Sequence, residues 1–351
     1  MNCFKINDFF LGKGETYFIA DIGANHDGSF ERAKELILLA KQSGAHAVKF
    51  QHFSAKNFIS DAGFRKLQIK KSHQSSWKKS VYEIYEDASI PLKWTTKLKS
   101  YCDDVDITFL SSPYGLEMVE HLSLFVPAWK IGSGDINYHE QLVAVAKTKK
   151  PIIIATGASK IEEVISCVEI LQSYGSKIVL MQCNTNYTGK DENYDHINLK
   201  VLETYKALFP DIMLGLSDHT FGSETVLGAI SLGAKVIEKH FTDDNSRIGP
   251  DHPFSMNPET WSSMVRSAKI LERSLGTPIK MVCPNERDTA ILQRRSLVCN
   301  IDLDPGTKLE SKFFSARRPC IPGSVDINRC IDDLILKSPL KAGSPLMKED
   351  V

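Results

Sequence analysis

The chain has 351 residues, 42% of them hydrophobic and 25% charged, with 43 Lys plus Arg balanced by 43 Asp plus Glu. That composition is globular and supplies a sizeable core, while zero net charge provides no bulk field to draw nucleic acid or anionic lipid. No apolar run approaches the roughly 18 residues of a membrane span, so neither a nucleic acid nor a membrane is expected as a partner.

Lys5, Asp8, Lys13 and Gly14 interrupt the first stretch, which lacks the apolar core of a signal peptide. From there one pattern repeats. A short β-rich run ends in a polar or Gly cluster, and a helical stretch follows. The predicted strands are 17–23, 45–51, 107–113, 129–133, 151–157, 177–183, 213–219 and 235–241. Most are nearly continuously apolar, as parallel strands buried on both faces should be. Helices are predicted at 29–43, 161–174 and 261–275. In the first, Ala33, Leu36, Ile37 and Ala40 share a face and Ser29 is the N-cap. Eight βα units in about 275 residues predict a closed (β/α)₈ TIM barrel. An open doubly wound sheet is the alternative, but the first βα turn, Gly23 to Gly28, lacks GxGxxG spacing. The barrel is assigned to residues 1–278, a linker to 279–292 and a small β-rich domain to 293–351, where Asp304-Pro305-Gly306 and Ala342-Gly343-Ser344-Pro345 mark related turns. The eight cysteines are scattered without a CxxC pair, which suits reduced thiols and a cytoplasmic location.

A barrel enzyme builds its site at the C-terminal ends of the strands. Lys49 shares a strand face with Gln51, and Lys130 with Gly132. A lysine inside a barrel strand is costly unless an anion pairs with it. Two of them beside small polar residues predict a bound phosphate or carboxylate. His219 and His240 end consecutive strands, with Glu238 on the face of His240. The set suits a divalent metal such as Mn²⁺, or else two hydrogen-bonded histidines in a polar site. Asp21 is an acid/base or water-orienting candidate whose plainer role is an ion pair with Lys49. The loop 248–252 follows strand eight at the barrel mouth. Spacing alone thus predicts a metal-assisted barrel enzyme for a small anionic molecule. It leaves carbon–carbon bond formation, isomerisation and hydrolysis open.

The phrases FIADIGANHDG at 18–28, VKFQ at 48–51, KIGSG at 130–134, ATG at 155–157, GLSDHT at 215–220 and EKHFTD at 238–243 stand in the order seen in sialic acid synthases. RRSL at 294–297 and RRP at 317–319 match the C-terminal domain of that family, an antifreeze-like (SAF, β-clip) domain. Nearly the whole chain resembles this N-acetylneuraminate, or nonulosonic acid, synthase family. The resemblance implies condensation of phosphoenolpyruvate with an open-chain N-acylated amino sugar, N-acetylmannosamine or a relative, and water. The products are a nine-carbon 2-keto acid and phosphate. It implies a divalent metal on His219 and His240: Mn²⁺, with Mg²⁺ or Co²⁺ as alternatives. Lys49 and Lys130 match the family's phosphate and carboxylate ligands. Ser112, Ser133 and Thr156 match positions near the same substrate, and Gln51, Tyr187 and Asp251 positions near the sugar. The small domain is expected to reach the other subunit of a homodimer, where Arg318, or failing that Arg317, touches the acyl group. Two departures stand out. Asp21 occupies a position that is Glu in many members, which suggests an intervening water. Arg318-Pro319-Cys320-Ile321-Pro322-Gly323 replaces a shorter Arg-Pro-Gly. Contacts that choose the sugar are expected in 52–80, rich in Lys56, Arg65, Lys66, Lys70, Lys71, Lys78 and Lys79, and in 184–196. The competing readings are another metal-dependent barrel aldolase or lyase, and a non-catalytic carbohydrate-binding protein.

Overall fold

A computed structural model describes residues 3–67 and 79–351. The chain divides into two units, Met1–Gly276 and Thr277–Val351.

The first unit opens with a hairpin, β1 (Phe4–Ile6) and β2 (Phe9–Leu11), which the sequence reading did not anticipate. Eight parallel strands follow: β3 (Tyr17–Asp21), β4 (Ala47–His52), β5 (Thr108–Pro113), β6 (Trp129–Ile131), β7 (Ile152–Ala155), β8 (Ile178–Cys183), β9 (Met213–Asp218) and β10 (Val236–His240). All eight predicted strands form, each trimmed or shifted by a few residues. First and last strands pair in parallel, Glu238 opposite Ile19 and His240 opposite Asp21, and β5 packs beside β6 to bring the sheet round into a TIM barrel. Ser29 caps the helix Phe30–Gln42 as predicted, its Oγ accepting from the Arg32 N–H, and Ala33, Leu36, Ile37 and Ala40 face the sheet. The last helix starts earlier than predicted, at Pro258, because Asn257 caps it and Pro is well tolerated in the first turn.

Strand alternation splits the core into two layers. Phe18, Val48, Phe50, Ile152 and Ile237 point outward and pack with the helices. Tyr17, Ile19, Ala47, Leu110, Ile153, Val179, Met213 and Val236 point inward and fill the N-terminal half of the barrel, joined there by Phe4, Ile6 and Leu11 of the hairpin. The hairpin is therefore the plug of the barrel floor.

The second unit contains a short helix at Arg287–Gln293, at the end of the stretch assigned to a linker and one residue beyond it, and the antiparallel pair β11 (Ser296–Cys299) and β12 (Phe314–Arg317). Cys299, Leu309, Val325, Leu336 and Leu346 are among its core residues. The two related turn segments meet through reciprocal backbone hydrogen bonds of 2.9 Å between Leu303 and Leu340.

If the hairpin is the floor plug, Ile6→Ala should lower the unfolding free energy by about 2–4 kcal/mol. Phe10→Ala, on the exposed face of the same hairpin, should change it by no more than about 0.5 kcal/mol. Denaturant titration of both variants checks this; equal effects would refute it.

Candidate active site

The upper half of the barrel interior carries charge. Lys49 and Lys130 are both 2% exposed and point inward from β4 and from the middle of β6. Lys49 Nζ lies 2.6 Å from Asp21 Oδ2 and 3.9 Å from Glu238 Oε1, while Lys130 Nζ lies 3.2 Å from the same Glu238 oxygen. The four residues form an alternating chain, Asp21–Lys49–Glu238–Lys130. Burial alone would raise the Asp21 carboxyl, but Lys49 and His240 outweigh it and hold it down at about 2. Burial would lower the Lys49 ammonium, yet Asp21 and Glu238 keep it above its ordinary value. Asp21 also accepts from the Gly23 N–H at 3.0 Å and from Gln51 Nε2 at 3.2 Å.

Beside this chain stand the two histidines, with ring centroids 5.5 Å apart. His219 Nδ1 lies 2.8 Å from the Asn184 carbonyl oxygen, which can only accept, so the proton sits on Nδ1 and Nε2 keeps a free lone pair. Burial and His240 hold the His219 imidazole down at about 3, hence neutral. The His240 ring lies 3.5 Å from Asp21 Oδ2 and 3.6 Å from Asp251 Oδ2. Tyr187 packs 4.3 Å from the His219 ring and Phe254 packs 5.0 Å from the His240 ring. Asp251 is anchored by the Ala24 N–H at 2.9 Å. Gly23, at φ +49°, lies so close that a Cβ there would meet Asp251 Oδ2 at 2.5 Å and the His240 ring at 3.1 Å. Only glycine suits that turn.

These groups open onto a cavity of about 240 Å³ bordered by Asp21, Lys49, Gln51, Lys130, Ser133, Tyr187, His219, His240 and Asp251. Nine of the twelve sequence-predicted site residues thus meet around one cavity. The other three do not border it. Ser112 shares the inward face beside Gln51, with its Oγ buried and without a hydrogen-bond partner. Thr156 is a correction. Ile153 and Ala155 take the inward positions of β7, so Thr156 turns outward, accepting from the Tyr205 hydroxyl at 2.9 Å and donating to the Met181 carbonyl at 2.9 Å. Arg318 belongs to the second unit and is exposed. Arg317 is held there by Ser315 Oγ at 2.8 Å and Asn300 Oδ1 at 2.7 Å.

Sequence reasoning gave no individual site role to Ser217, Cys183, Tyr114 or the aromatic wall of Phe53, Phe58 and Tyr85, all of which border the cavity, although Phe53 and Phe58 fall in the 52–80 stretch where sugar contacts are expected. Ser217 was reachable by counting two residues back from His219. The wall was not, because Phe58 and Tyr85 sit on short helices (Ala55–Phe58, Val81–Ala88) inserted after β4. Lys70, Lys71 and Lys78 lie outside the described residues; Lys56, Arg65, Lys66 and Lys79 are exposed, as expected of a solvated face.

Fold and rim together define a TIM-barrel enzyme with its polar apparatus at the C-terminal ends of the strands. A family model described as the NeuB family matches residues 36–280. An uncharacterized protein of Methanocaldococcus jannaschii is 37% identical over 91% of this chain and 90% of its own length. The N,N'-diacetyllegionaminic acid synthase of Campylobacter jejuni is 34% identical over 87% of this chain and 91% of its own. The solved structure of the spore coat polysaccharide biosynthesis protein SpsE of Bacillus subtilis matches at a TM-score of 0.66 and 26% identity, over 100% of this chain and 99% of that one. The chain belongs to the NeuB family and is an enzyme of that family. No helix among the described residues is long and apolar enough to cross a membrane.

Asp135, two residues beyond Ser133, yields a pH prediction. Burial raises its carboxyl from 3.8 to about 6, against a hydrogen bond from Gln141 that lowers it. Below pH 3.8 both folded and unfolded states carry the proton. Between 3.8 and about 6 the folded state binds more protons, so stability falls as pH rises, by up to about 3 kcal/mol above that window. Asp135→Asn should therefore stabilise the protein at pH 7.5 and leave it unchanged at pH 3.5. Thermal unfolding at the two pH values reads this directly, and equal shifts at both would refute it.

Proposed function

We propose that the chain is a nonulosonic acid synthase that condenses phosphoenolpyruvate with an open-chain N-acylated amino sugar and water, releasing phosphate. The observation that carries this reading is the pair of buried lysines, each opposed by a carboxylate, beside two histidines in one cavity. Lys49 and Lys130 are the two cations bordering that cavity among the described residues, and they receive the phosphate and carboxylate of phosphoenolpyruvate. Gln51, Tyr187 and Asp251 face the sugar. The enol carbon attacks the aldehyde carbon, water adds at the carbon bearing the phosphate, and phosphate leaves with its C–O bond broken. Asp21, held ionised, orients that water by accepting its hydrogen. Alignment of two anionic groups and an aldehyde is mainly a positioning and electrostatic task.

The donor set suits a divalent ion. His219 Nε2 has a free lone pair, and His240 Nδ1 is buried without a hydrogen-bond partner. Asp21, Glu238 and Asp251 outnumber the two lysines around a cavity that must take an anion, an excess a divalent charge reverses. Mn²⁺, or alternatively Mg²⁺ or Co²⁺, held by His219 and His240 would supply Lewis-acid polarisation of the aldehyde. The reading includes a homodimer in which the small unit, as an SAF domain, offers Arg318 to the partner's sugar site. The exposed Arg318 is available for this, whereas Arg317 is tied to Ser315 and Asn300. Cytoplasmic residence accords with the free state of all eight cysteines.

The test is phosphate release with phosphoenolpyruvate, Mn²⁺ and a panel of N-acetylmannosamine, its 6-phosphate and a diacetamido-trideoxyhexose. Release should require a sugar and stop on chelation. Lys130→Met should lower kcat/KM for phosphoenolpyruvate by about a hundredfold or more. Turnover without phosphoenolpyruvate would point instead to another barrel lyase. Sugar binding that survives both chelation and His219→Ala, with no turnover, would point to a carbohydrate-binding protein.

A further inference from the structure

Asp218 and Lys239 stand directly behind the two histidines. They are partners in the parallel β9–β10 ladder, each the chain neighbour of a site histidine, and each points to the opposite side of the sheet. Lys239 Nζ contacts Asp218 Oδ2 and donates to the Thr220 carbonyl at 2.7 Å. The same carboxylate oxygen accepts from Thr220 Oγ1 at 2.8 Å and Thr225 Oγ1 at 2.7 Å, and Oδ1 accepts from the Thr220 N–H at 3.2 Å. Both charged side chains are fully buried. Leu216 and Ile237, one outward position earlier on the same strands, pack as plain hydrophobes. A buried ion pair is weak evidence for stability, since well-packed apolar residues often serve as well or better. Its place at the last ladder step shared by β9 and β10 suggests a different task. It ties the two strand ends together and pulls the turn at 219–225 back onto them, while His219 and His240 emerge on the inner side.

We infer that Asp218 and Lys239, with Thr220 and Thr225, form a positioning clamp that fixes the separation of His219 and His240 and thereby the affinity for a divalent ion. The inference rests on the metal reading above. Its test is Mn²⁺ binding to the full chain, followed by the electron paramagnetic resonance signal of free Mn²⁺, alongside thermal unfolding. Thr225→Val removes one hydrogen bond to Asp218; the double variant Asp218→Asn/Lys239→Met removes both charges together. Mn²⁺ affinity should fall by about tenfold or more in each, and Thr225→Ser should restore it. Val168→Ala, which removes packing in the outer layer at helix Ile161–Ser173, should lower the unfolding temperature without changing Mn²⁺ affinity. If Thr225→Val lowers the unfolding temperature yet keeps Mn²⁺ affinity within roughly twofold of wild type, the clamp is purely structural and the inference is overturned. Should the double variant fail to fold, the Thr225→Val and Thr225→Ser comparison decides alone. Absence of Mn²⁺ binding by the wild type overturns the metal reading and the clamp with it; loss confined to the variants supports both.

Discussion

The alternating charges Asp21–Lys49–Glu238–Lys130 are the constraint around which the barrel interior is arranged. They come from four strands, Asp21 at the end of β3 and Lys49, Glu238 and Lys130 within β4, β10 and β6. Any one of them left alone would be a buried unpaired charge, and removing a partner from such a pair typically costs about 3–5 kcal/mol. The interior can hold them only if the strands keep their register, because a one-residue slip turns every side chain to the other face. The apolar lower half of the barrel secures that register. Tyr17, Ile19, Leu110, Ile153 and Val236, sealed from below by Phe4, Ile6 and Leu11, form a dry floor beneath the charges. A dry floor also lowers the local dielectric, so the lysines act more strongly on an anion arriving from the mouth.

Polar groups on the two faces of the sheet are treated differently. On the outer face they are satisfied. His52 contacts Ser111 Oγ at 2.7 Å and Thr95 Oγ1 at 3.0 Å, and Thr156 has Tyr205 and the Met181 carbonyl. On the inner face, Glu238 Oε2, His240 Nδ1 and Ser112 Oγ are buried without partners. Buried polar atoms are rarely left unpaired in a finished structure. A cluster of them on one face, beside two cations, marks a place prepared for a ligand. The outer polar groups, by contrast, close on one another and hold the frame.

That two-faced logic also sets what could be read from sequence. Lys49 with Gln51, and Glu238 with His240, follow from counting by two along strands whose ends were evident. At 151–157 the same counting has no phase to work from, because Ile152, Ile153 and Ile154 are apolar on both faces. Thr156 was placed by resemblance and lies on the wrong side. The hairpin at 4–11 is too short to show a period, and its role depends on a barrel floor that exists only once the strands have closed. The aromatic wall comes from a long excursion between β4 and β5, where short helices leave little periodic signal. Among the described residues, local pattern revealed most of what sits on strands and helices, while the hairpin plug and the aromatic wall emerge only from tertiary closure.

The carboxylate at position 21 makes the ion pair with Lys49 that its place on the neighbouring strand predicts. Its Oδ2 meets Lys49 at 2.6 Å, and its Oδ1 accepts from the Gly23 N–H. What the shorter arm leaves open is the approach to His240, where 3.5 Å exceeds a normal hydrogen bond. Asp21 therefore belongs electrostatically to Lys49 and only loosely to the histidine. When a substrate phosphate engages Lys49, that partner is shared, the main influence holding the Asp21 carboxyl near 2 weakens, and its basicity rises. Under the proposed reaction, arrival of phosphoenolpyruvate would itself prepare Asp21 to handle the proton of the attacking water.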